Sequence, residues 1–455
     1  MSTPTRIRPT RGDQLELEID SLAFGGAGVA RLDGYVVFVQ GAIPGDHVRA
    51  RVGKSKRAYA EARVQEILSP SPDRVVAAAE HPGAPWQVLP YERQLEVKHE
   101  QVDEALRRIG KLEGFELEPP IAAEQQWRYR NKLEYSFGHS DAGELVLGFH
   151  TPGRWDRIEP FEDCLLASEA SNTARRAVLH WCRAQGLRAY DRRSGEGFLR
   201  NLVVREGRRS GQLQVRLVTG PGALDVDSLA AAVPCDGLLW TSTEALGETT
   251  AGGETELIAG SAKLDEQLCG LRFRISSEAF FQTNTEMAEH LYGVATEYAD
   301  LRGHERVYDL YCGIGTLSLA LSLRAGEIWG LEIVEEAVAD AIENARINEI
   351  DNTRFFAGDV RLALRELIEL AGKPDLVVVD PPRAGLSQKV VRRVIEAAPR
   401  RIVYVSCNPT TLAPNAAQLV EAGYALRRVR PVDMFPQTPH IECVALLERV
   451  GPAPA

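Results

Sequence analysis

The feature that most constrains the fold is an alternation of apolar and amphipathic runs that begins after Phe273. Five strand-length apolar runs are each followed by a stretch with helical periodicity: RVYDLYCG, IWGLEIV, TRFFAGD, DLVVVDPP and RIVYVSCNP. Apolar strands between amphipathic helices are typical of a doubly wound parallel sheet. We therefore predict a Rossmann-like α/β domain over residues 273–455. Its last two strands have no helix between them, which predicts a terminal antiparallel hairpin at the sheet edge.

Two further domains are predicted before this one. Residues 1–70 contain short alternating runs between Gly- and Pro-rich turns, which indicate a small antiparallel β-barrel. Residues 71–272 predict an α+β domain with one antiparallel sheet and few helices. An amphipathic helix over residues 91–110, with Gly110 as its stop, is a candidate to pack on the C-terminal domain.

The first strand of the C-terminal domain ends in the glycine-rich turn DLYCGIGT, residues 309–316. Gly313 allows a tight turn and close backbone approach, and Glu332 ends the next strand, a spacing that suits a ribose diol. Position 318 is Ser318 where a dinucleotide fingerprint has its third glycine, which weakens the nicotinamide interpretation. No basic residue in the turn could meet a phosphate. The pattern favours a phosphate-free adenosyl ligand.

The next three strands also end in chemically useful residues: Asp359, Asp380 and Cys407. Because the carboxyl ends of parallel strands meet at one edge of a sheet, we expect these groups to converge. Cys407 alone is more simply explained as packing, since most free cysteines are buried and inert. Its position beside Asp380 and an adenosyl site favours a reactive thiol instead.

The net charge and the cysteine content limit which partners and which cellular compartment we expect. The net charge of −11 argues against a nucleic-acid partner, yet RARVGKSKR at 49–57 and RYRNK at 128–132 are local basic patches. No apolar run approaches a signal peptide or a membrane span. Seven scattered cysteines without pattern suggest reduced thiols, and hence a cytoplasmic protein.

The motifs together resemble those of the RNA 5-methyluridine (uracil-5-) methyltransferases, which use S-adenosyl-L-methionine. The motifs that carry the resemblance are FFQTN (280–284), DLYCGIGT, GLEIV, DPPRAGL, SCNP and PHIE (439–442). The N-terminal barrel is similar to the OB-like TRAM domain of members that act on rRNA. The resemblance spans nearly the whole chain and implies a class I methyltransferase domain at its C-terminus.

The resemblance also implies roles for individual residues. It makes Cys407 the nucleophile and Glu442 the base that removes a proton, and it places the methyl donor against Gln282, Tyr311, Glu332, Asp359 and Asp380. With the turn residue Gly313, these form the predicted cofactor site. RYRNKLEYSFG is similar to the strand of the family that faces RNA, and with DPPRAGL it supplies the candidate RNA contacts Arg128, Tyr129, Arg130, Lys132 and Arg383.

The chemistry agrees with these residue types. Carbon 5 of uracil is too poor a nucleophile to attack a sulfonium methyl directly. A thiolate that adds to carbon 6 makes carbon 5 nucleophilic, and a base must then remove the carbon 5 proton so that the thiolate can leave. One cysteine and one carboxylate meet this need.

Two departures from the family pattern stand out. Many members hold an iron–sulfur cluster on three cysteines before the amphipathic helix and a fourth in the central domain. Here HPGA, residues 81–84, replaces CGGC and only Cys164 remains, so we predict no cluster and no metal site. After the nucleophile, TTLAPN replaces ATLARD, which puts the contacts of Pro414 and Asn415 in question.

We therefore expect a monomeric enzyme that forms 5-methyluridine in structured RNA, with 23S rRNA favoured by the TRAM-like barrel. A tRNA-modifying relative is the nearest alternative. An amino-group methyltransferase could share the DPP motif but has no need of Cys407 or Glu442. A non-catalytic RNA-binding or folding factor would tolerate loss of the nucleophile, which this chain keeps.

Overall fold

The computed structural model describes residues 8–79, 81–245, 247 and 249–451. The N-terminal unit is a six-stranded sheet with the order β1-β5-β6-β4-β3-β2. Its strands are Gln14–Glu18, Ser21–Leu22, Gly28–Leu32, Tyr35–Gln40, His47–Ser55 and Tyr59–Ser69 (β1–β6). The predicted wholly antiparallel pairing is wrong at one place, because β4 and β6 run parallel. Strand β5 lies between them in sequence and is antiparallel to β6, so β6 runs in the same direction as β4.

The helix predicted over 91–110 is present in two parts. Helix α1 covers Tyr91–Glu104, and a π-helical turn, Ala105–Ile109, continues it to Gly110. Val102 and Leu106 of this segment are buried in a core shared with three helices of the C-terminal unit, Val360–Ala371 (α7), Gln388–Ala397 (α8) and Pro409–Glu421 (α9). The helix therefore packs on the C-terminal sheet layer, and β7 (Glu116–Leu117) joins that sheet.

The central sheet has seven strands in the order β10-β9-β8-β11-β12-β13-β14. These are Lys132–His139, Leu145–His150, Ile158–Pro160, Leu199–Glu206, Leu213–Thr219, Gly237–Ser242 and Glu254–Gly260 (β8–β14). Helix α2 (Glu169–Ala184) covers one face through Ala174, Val178 and Trp181. Helix α3 (Val226–Ala232) carries the chain between β12 and β13, so this pair is parallel and corrects the prediction of a purely antiparallel sheet.

A hairpin of β15 (Lys263–Leu268) and β16 (Leu271–Ser276) follows, across the predicted boundary at residue 272. Its backbone docks on helix α6 (Glu335–Ile347): the Arg274 amide donates to Asn344 Oδ1 at 2.8 Å, and the Ser276 amide to Asp340 Oδ2 at 3.0 Å. The hairpin therefore belongs structurally with the helix layer of the C-terminal unit.

The C-terminal unit is the predicted doubly wound sheet, with the order β19-β18-β17-β20-β21-β23-β22-β7. Its strands are Arg306–Leu310, Glu327–Glu332, Thr353–Ala357, Leu376–Val379, Arg401–Ser406, Tyr424–Val432 and Glu442–Arg449 (β17–β23). The remaining helices are Thr285–Ala299 (α4), Thr316–Ser322 (α5), Val360–Ala371 (α7), Gln388–Ala397 (α8) and Pro409–Glu421 (α9).

This sheet is buried on both faces, as its apolar strands predict. Helices α4, α5 and α6 share one core with it, while α7, α8 and α9 share the other. Each fully buried Val, Leu or Ile stabilises such a layer by about 1.5–3 kcal/mol. The terminal hairpin is present, but it is not the edge of the sheet: β23 lies beside β21, and β7 covers β22.

Candidate active site

The turn after β17 is built from three residues with left-handed backbone. Tyr311, Gly313 and Gly315 have φ of 75°, 54° and 83°. At Gly315 a Cβ would lie 3.1 Å from the Phe355 ring and 3.2 Å from the Ala341 Cβ, so a side chain would crowd the packing behind the turn. Gly315 also caps α5. The turn therefore presents backbone, rather than side chains, at the carboxyl end of β17.

Glu332, at the end of β18, is fixed against this turn. Its Oε2 accepts from the Gly313 amide at 3.1 Å, while Oε1 accepts from the Ile333 and Val334 amides at 2.7 and 3.0 Å. Each carboxylate oxygen has two lone pairs, so Oε2 can accept a second donor such as a hydroxyl. No Lys or Arg occurs from 309 to 316. This donor set fits a phosphate-free adenosyl group.

Of the other predicted cofactor residues, Tyr311 lies in this turn, Asp359 follows β19, and Gln282 lies on the segment before α4. Asp359 caps α7 and pairs with Arg361, which lowers the pKa of Asp359. Tyr311 is partly buried, and burial raises its pKa. Gln282 is buried in the segment before α4, and its carbonyl accepts from the Asn131 amide group at 2.8 Å. That bond ties the cofactor side of the sheet to the central domain.

Two carboxyl groups lie deeper on this rim. Asp309 is buried and accepts from Ser318 Oγ at 2.5 Å, and burial raises its pKa to about 6. Burial and the nearby Asp309 raise the pKa of Asp380 to about 7. Asp380 therefore titrates near neutral pH, the range in which proton transfer by a carboxyl group is efficient.

Cys407 follows β21 directly and precedes α9, and its side chain is partly exposed. Burial raises the pKa of its thiol to about 11, with further increases from Glu442 and Asp380, while Arg383 lowers it. These four groups therefore influence one another electrostatically. Burial and the Asp380 charge also raise the pKa of Glu442 well above its usual range.

The loop that carries Arg383 is held by α9. Asn408 Nδ2 donates to the Arg383 carbonyl at 3.1 Å. Asn415 is buried, and its amide group bonds both backbone groups of Leu386: Oδ1 accepts from the amide at 2.8 Å and Nδ2 donates to the carbonyl at 3.0 Å. Asn415, which departs from the family pattern, thus anchors the DPPRAGL loop beside Cys407.

The segment that leads to Glu442 is anchored by α1, a relationship the sequence analysis missed. Lys98 and Asp433 form a fully buried ion pair at 2.6 Å, and Tyr91 donates to the same carboxylate at 2.8 Å. Gln94 Nε2 donates to Gln437 Oε1, and Gln94 Oε1 accepts from the Gln437 backbone amide. These contacts join residues more than 330 positions apart, which no local sequence pattern reveals.

The predicted RNA-facing residues divide into accessible and inaccessible groups. Arg383 is exposed, and Arg130 and Lys132 are partly exposed. Arg128 makes a two-fold contact with Asp163, one bond of which measures 2.8 Å. The prediction for Tyr129 is wrong for this structure: its ring is fully buried, and its hydroxyl donates to the Pro436 carbonyl at 3.0 Å. Tyr129 lies before β8, and the resemblance did not show that this segment packs against the core.

His81 and Cys164, at the departures from the family's cluster cysteines, touch each other in the core of the central domain. His81 Nε2 lies 3.3 Å from Cys164 Sγ, and Phe149 and Phe161 pack on the imidazole. Burial lowers the pKa of His81 to about 4. Among the described residues no three His, Cys, Asp or Glu side chains are grouped to hold a metal ion. All seven cysteines carry free thiols.

Comparisons with known proteins identify the family. Residues 255–450 match the family model described as tRNA (Uracil-5-)-methyltransferase, and residues 8–65 match the TRAM domain. An uncharacterized RNA methyltransferase of Halalkalibacterium halodurans is 37% identical over 96% of this chain and 97% of its own. One of Gloeobacter violaceus is 40% identical over 96% of this chain and 97% of its own. The chain belongs to the RNA uracil-5-methyltransferase family.

A solved structure extends this result to the whole fold. The tRNA (uracil-54, C5)-methyltransferase of Pyrococcus abyssi, in complex with S-adenosyl-L-homocysteine, is 29% identical with a TM-score of 0.78. The match covers 95% of this chain and 100% of the archaeal one. The chain is thus an S-adenosyl-L-methionine-dependent RNA uracil-5-methyltransferase with an N-terminal TRAM domain. None of the helices in the described ranges has the length and apolar character to cross a membrane.

Proposed function

We propose that this methyltransferase forms 5-methyluridine in 23S rRNA through a covalent bond between Cys407 Sγ and carbon 6 of the target uracil. The observation that carries the proposal is the placement of Cys407, Asp380, Glu442 and Arg383 on one rim, where each of the other three alters the pKa of the thiol. A thiol used only for packing needs no such set of charged neighbours.

The proposed reaction forms and then breaks a bond between the enzyme and the uracil. The Cys407 thiolate, stabilised by Arg383, adds to carbon 6 and makes carbon 5 nucleophilic. After carbon 5 has gained the methyl group, the ionised Glu442 takes the carbon 5 proton. Those electrons restore the carbon 5–carbon 6 double bond while the sulfur–carbon 6 bond breaks, and Cys407 leaves as a thiolate. S-adenosyl-L-methionine, when bound, supplies the methyl group on a positively charged sulfur.

The geometry supports specific roles in holding the cofactor. Glu332 Oε2 would accept a ribose hydroxyl, Gly313 would give the adenosyl group close access to the backbone, and Asp359 would accept from the adenine amino group. Gln282, Tyr311 and Asp380 would complete the contacts around the methyl donor.

The RNA is held, in this proposal, by the cations that reach the surface beside the active site. Arg130 lines one cavity with His440 of the PHIE segment. Burial lowers the pKa of His440, and the charges of Arg383 and Arg130 lower it further. Lys132 and Arg128 lie on the same central-domain segment. Cations in this arrangement suit the phosphates of a strand that delivers an unpaired uridine.

A tRNA uridine is the second candidate target. It is favoured by the Pyrococcus abyssi enzyme, whose name gives tRNA uracil-54 as the target and which matches this chain over 95% of its length. That match includes most of the TRAM region, so the barrel alone does not separate the two targets. The TRAM match itself supports RNA as the partner in either case.

The same proposal includes a cytoplasmic location, a monomeric state and three domains. Their limits are 1–70, 71–272 and 273–455 as predicted, except that the whole β15–β16 hairpin, which docks on α6, joins the last domain. Seven free thiols support a reducing compartment.

The test is to map 5-methyluridine by mass spectrometry in rRNA and tRNA from a strain that lacks the gene. We expect loss of 5-methyluridine at one or two 23S rRNA positions, restored by the wild-type gene but not by Cys407→Ala. Loss from tRNA alone would establish the second candidate. An unchanged set of 5-methyluridines in both RNAs would contradict the proposal.

A further inference from the structure

A pocket of about 230 Å³ lies on the central domain, outside the methyltransferase site. Trp155, in the loop between β9 and β10, lines it and is 54% exposed. Arg192 and Arg193 place their guanidinium groups 5.9 and 5.3 Å from the Trp155 ring. An exposed tryptophan forgoes much of the stabilisation that burial of its large surface would give. Its retention beside two cations suggests a ligand that offers a flat ring and negative charge.

Arg200 and Tyr190 also line this pocket. Arg200 is buried, with its guanidinium 4.1 Å from the Tyr190 ring, and its Nε has no hydrogen-bond partner among the described residues. The two carboxylates of the pocket are already engaged. Asp156 pairs with Arg193 at 2.9 Å, and Asp191 accepts from the Arg193 amide at 2.8 Å. Three guanidinium groups and the rings of Phe137, Trp155 and Tyr190 thus line one small cavity.

We propose that this pocket binds an unpaired nucleotide of the RNA substrate, with its base stacked on Trp155 and its phosphate held by Arg192 and Arg193. Stacking on aromatic side chains and pairing of phosphates with arginine are the two interactions by which proteins hold single-stranded RNA. The proposal rests on the proposed function in that the RNA is the methylation substrate.

The position of the pocket favours an RNA chain over a free nucleotide. Arg63 of the TRAM domain donates to the Pro152 carbonyl, in the same loop as Trp155. Arg63 also lies directly opposite Arg51 across the β5–β6 ladder, and both side chains are exposed. Like charges directly opposite each other on a sheet are unfavourable. Two exposed cations of the TRAM domain thus lie beside the loop that carries Trp155, where an RNA phosphate could neutralise them.

The pocket is also close to the methyltransferase side of the molecule. His150 lines it, whereas the preceding residue, Phe149, lines a second cavity of about 280 Å³ with Arg130 and His440. Adjacent residues of a strand point to opposite faces, so only the sheet separates the two cavities. The edge strand β10 has only three residues, Ile158–Pro160, and β9 pairs with it. An RNA strand can therefore pass around this short edge from one cavity to the other.

The test measures binding of unmodified 23S rRNA transcript by filter retention, with unmodified tRNA transcripts in a second arm. Trp155→Ala is expected to weaken binding roughly 5- to 150-fold, the range for loss of one stacked base. Trp155→Phe keeps an aromatic face and should retain most of the affinity. Leu257→Ala, an exposed side chain on β14 at the far edge of the same sheet, is the matched control and should bind as the wild type does.

Binding of S-adenosyl-L-homocysteine, measured by calorimetry, reports whether each variant is folded and should be equal in all of them. Unchanged affinity of Trp155→Ala for both RNAs would overturn the pocket proposal, even if the enzyme forms 5-methyluridine normally. Equal weakening in Trp155→Phe would also overturn it, since stacking would not be the cause. Conversely, reduced RNA binding by Trp155→Ala in a protein that transfers no methyl group would support the pocket and contradict the proposed function.

Discussion

Cys407 and Glu442 lie at the same end of the antiparallel ladder between β21 and β23. Ser406 pairs with Cys443 in that ladder, and Cys407 and Glu442 are each one residue beyond this pair. The proposed nucleophile and base, 35 residues apart in sequence, are thereby brought to one end of the sheet. The hairpin of β22 and β23 thus places Glu442 close to the Cys407 thiol.

Replacement of Glu442 by Gln should separate the two halves of the reaction. The amide cannot accept the carbon 5 proton, so the covalent RNA–enzyme species should accumulate and turnover should fall by about 10²- to 10⁴-fold. Single-turnover assays with denaturing gels measure both quantities. Normal turnover in Glu442→Gln, without accumulated adduct, would remove Glu442 from the base role.

The reactivity of Cys407 should follow the charges around it. With a pKa of about 11, only about one Cys407 in a thousand is ionised at pH 8, so iodoacetamide should react slowly and faster as the pH rises toward 11. Arg383→Gln removes the cation that lowers this pKa and should shift the alkylation profile to higher pH. Peptide-resolved mass spectrometry measures the profile.

Cys235 is the internal control for this experiment. Cys235 lies in the central domain. Burial raises its pKa to about 11, and the charge of Asp236 raises it further. Its alkylation should be the same in both proteins. A Cys407 profile that does not move in Arg383→Gln would show that Arg383 does not stabilise the thiolate.

Asn415 should matter for stability and for activity together. Asn415→Leu leaves the backbone amide and carbonyl of Leu386 without their partner, which should reduce the free energy of unfolding by about 1–3 kcal/mol. The freed DPPRAGL loop should also lower kcat for methyl transfer. Gln418, on the same helix, donates only to the nearby Pro414 carbonyl, at 3.3 Å. Gln418→Leu is therefore the control and should leave the free energy of unfolding and kcat near the wild-type values. Chemical denaturation and methyl-transfer assays check the pair, and a fully active, fully stable Asn415→Leu would contradict the role.

Much of the candidate site could be predicted, because the residues that follow apolar strands can be recognised in the sequence. Glu332, Asp359, Asp380 and Cys407 each follow an apolar run, and parallel topology requires such ends to meet at one edge. The family motifs added Glu442, whose strand is antiparallel to the others and would not have been placed by that rule.

The remaining features depend on contacts distant in sequence. The burial of Tyr129 depends on Pro436, and the buried pair of Lys98 with Asp433 depends on how α1 docks. The parallel pair of β12 and β13 depends on a seven-residue helix between them that the strand-rich pattern concealed. Local periodicity shows that a residue faces a core, but not which element supplies that core.

The covalent step is tested most directly with RNA in which uridine is replaced by 5-fluorouridine. Fluorine cannot leave carbon 5 as a proton does, so the methylated adduct cannot resolve. With S-adenosyl-L-methionine present, we expect a complex that survives denaturation and whose RNA-linked peptide contains Cys407. Cys407→Ala should form none. Absence of the complex with wild-type enzyme that methylates ordinary RNA, or its attachment to another residue, would contradict the mechanism.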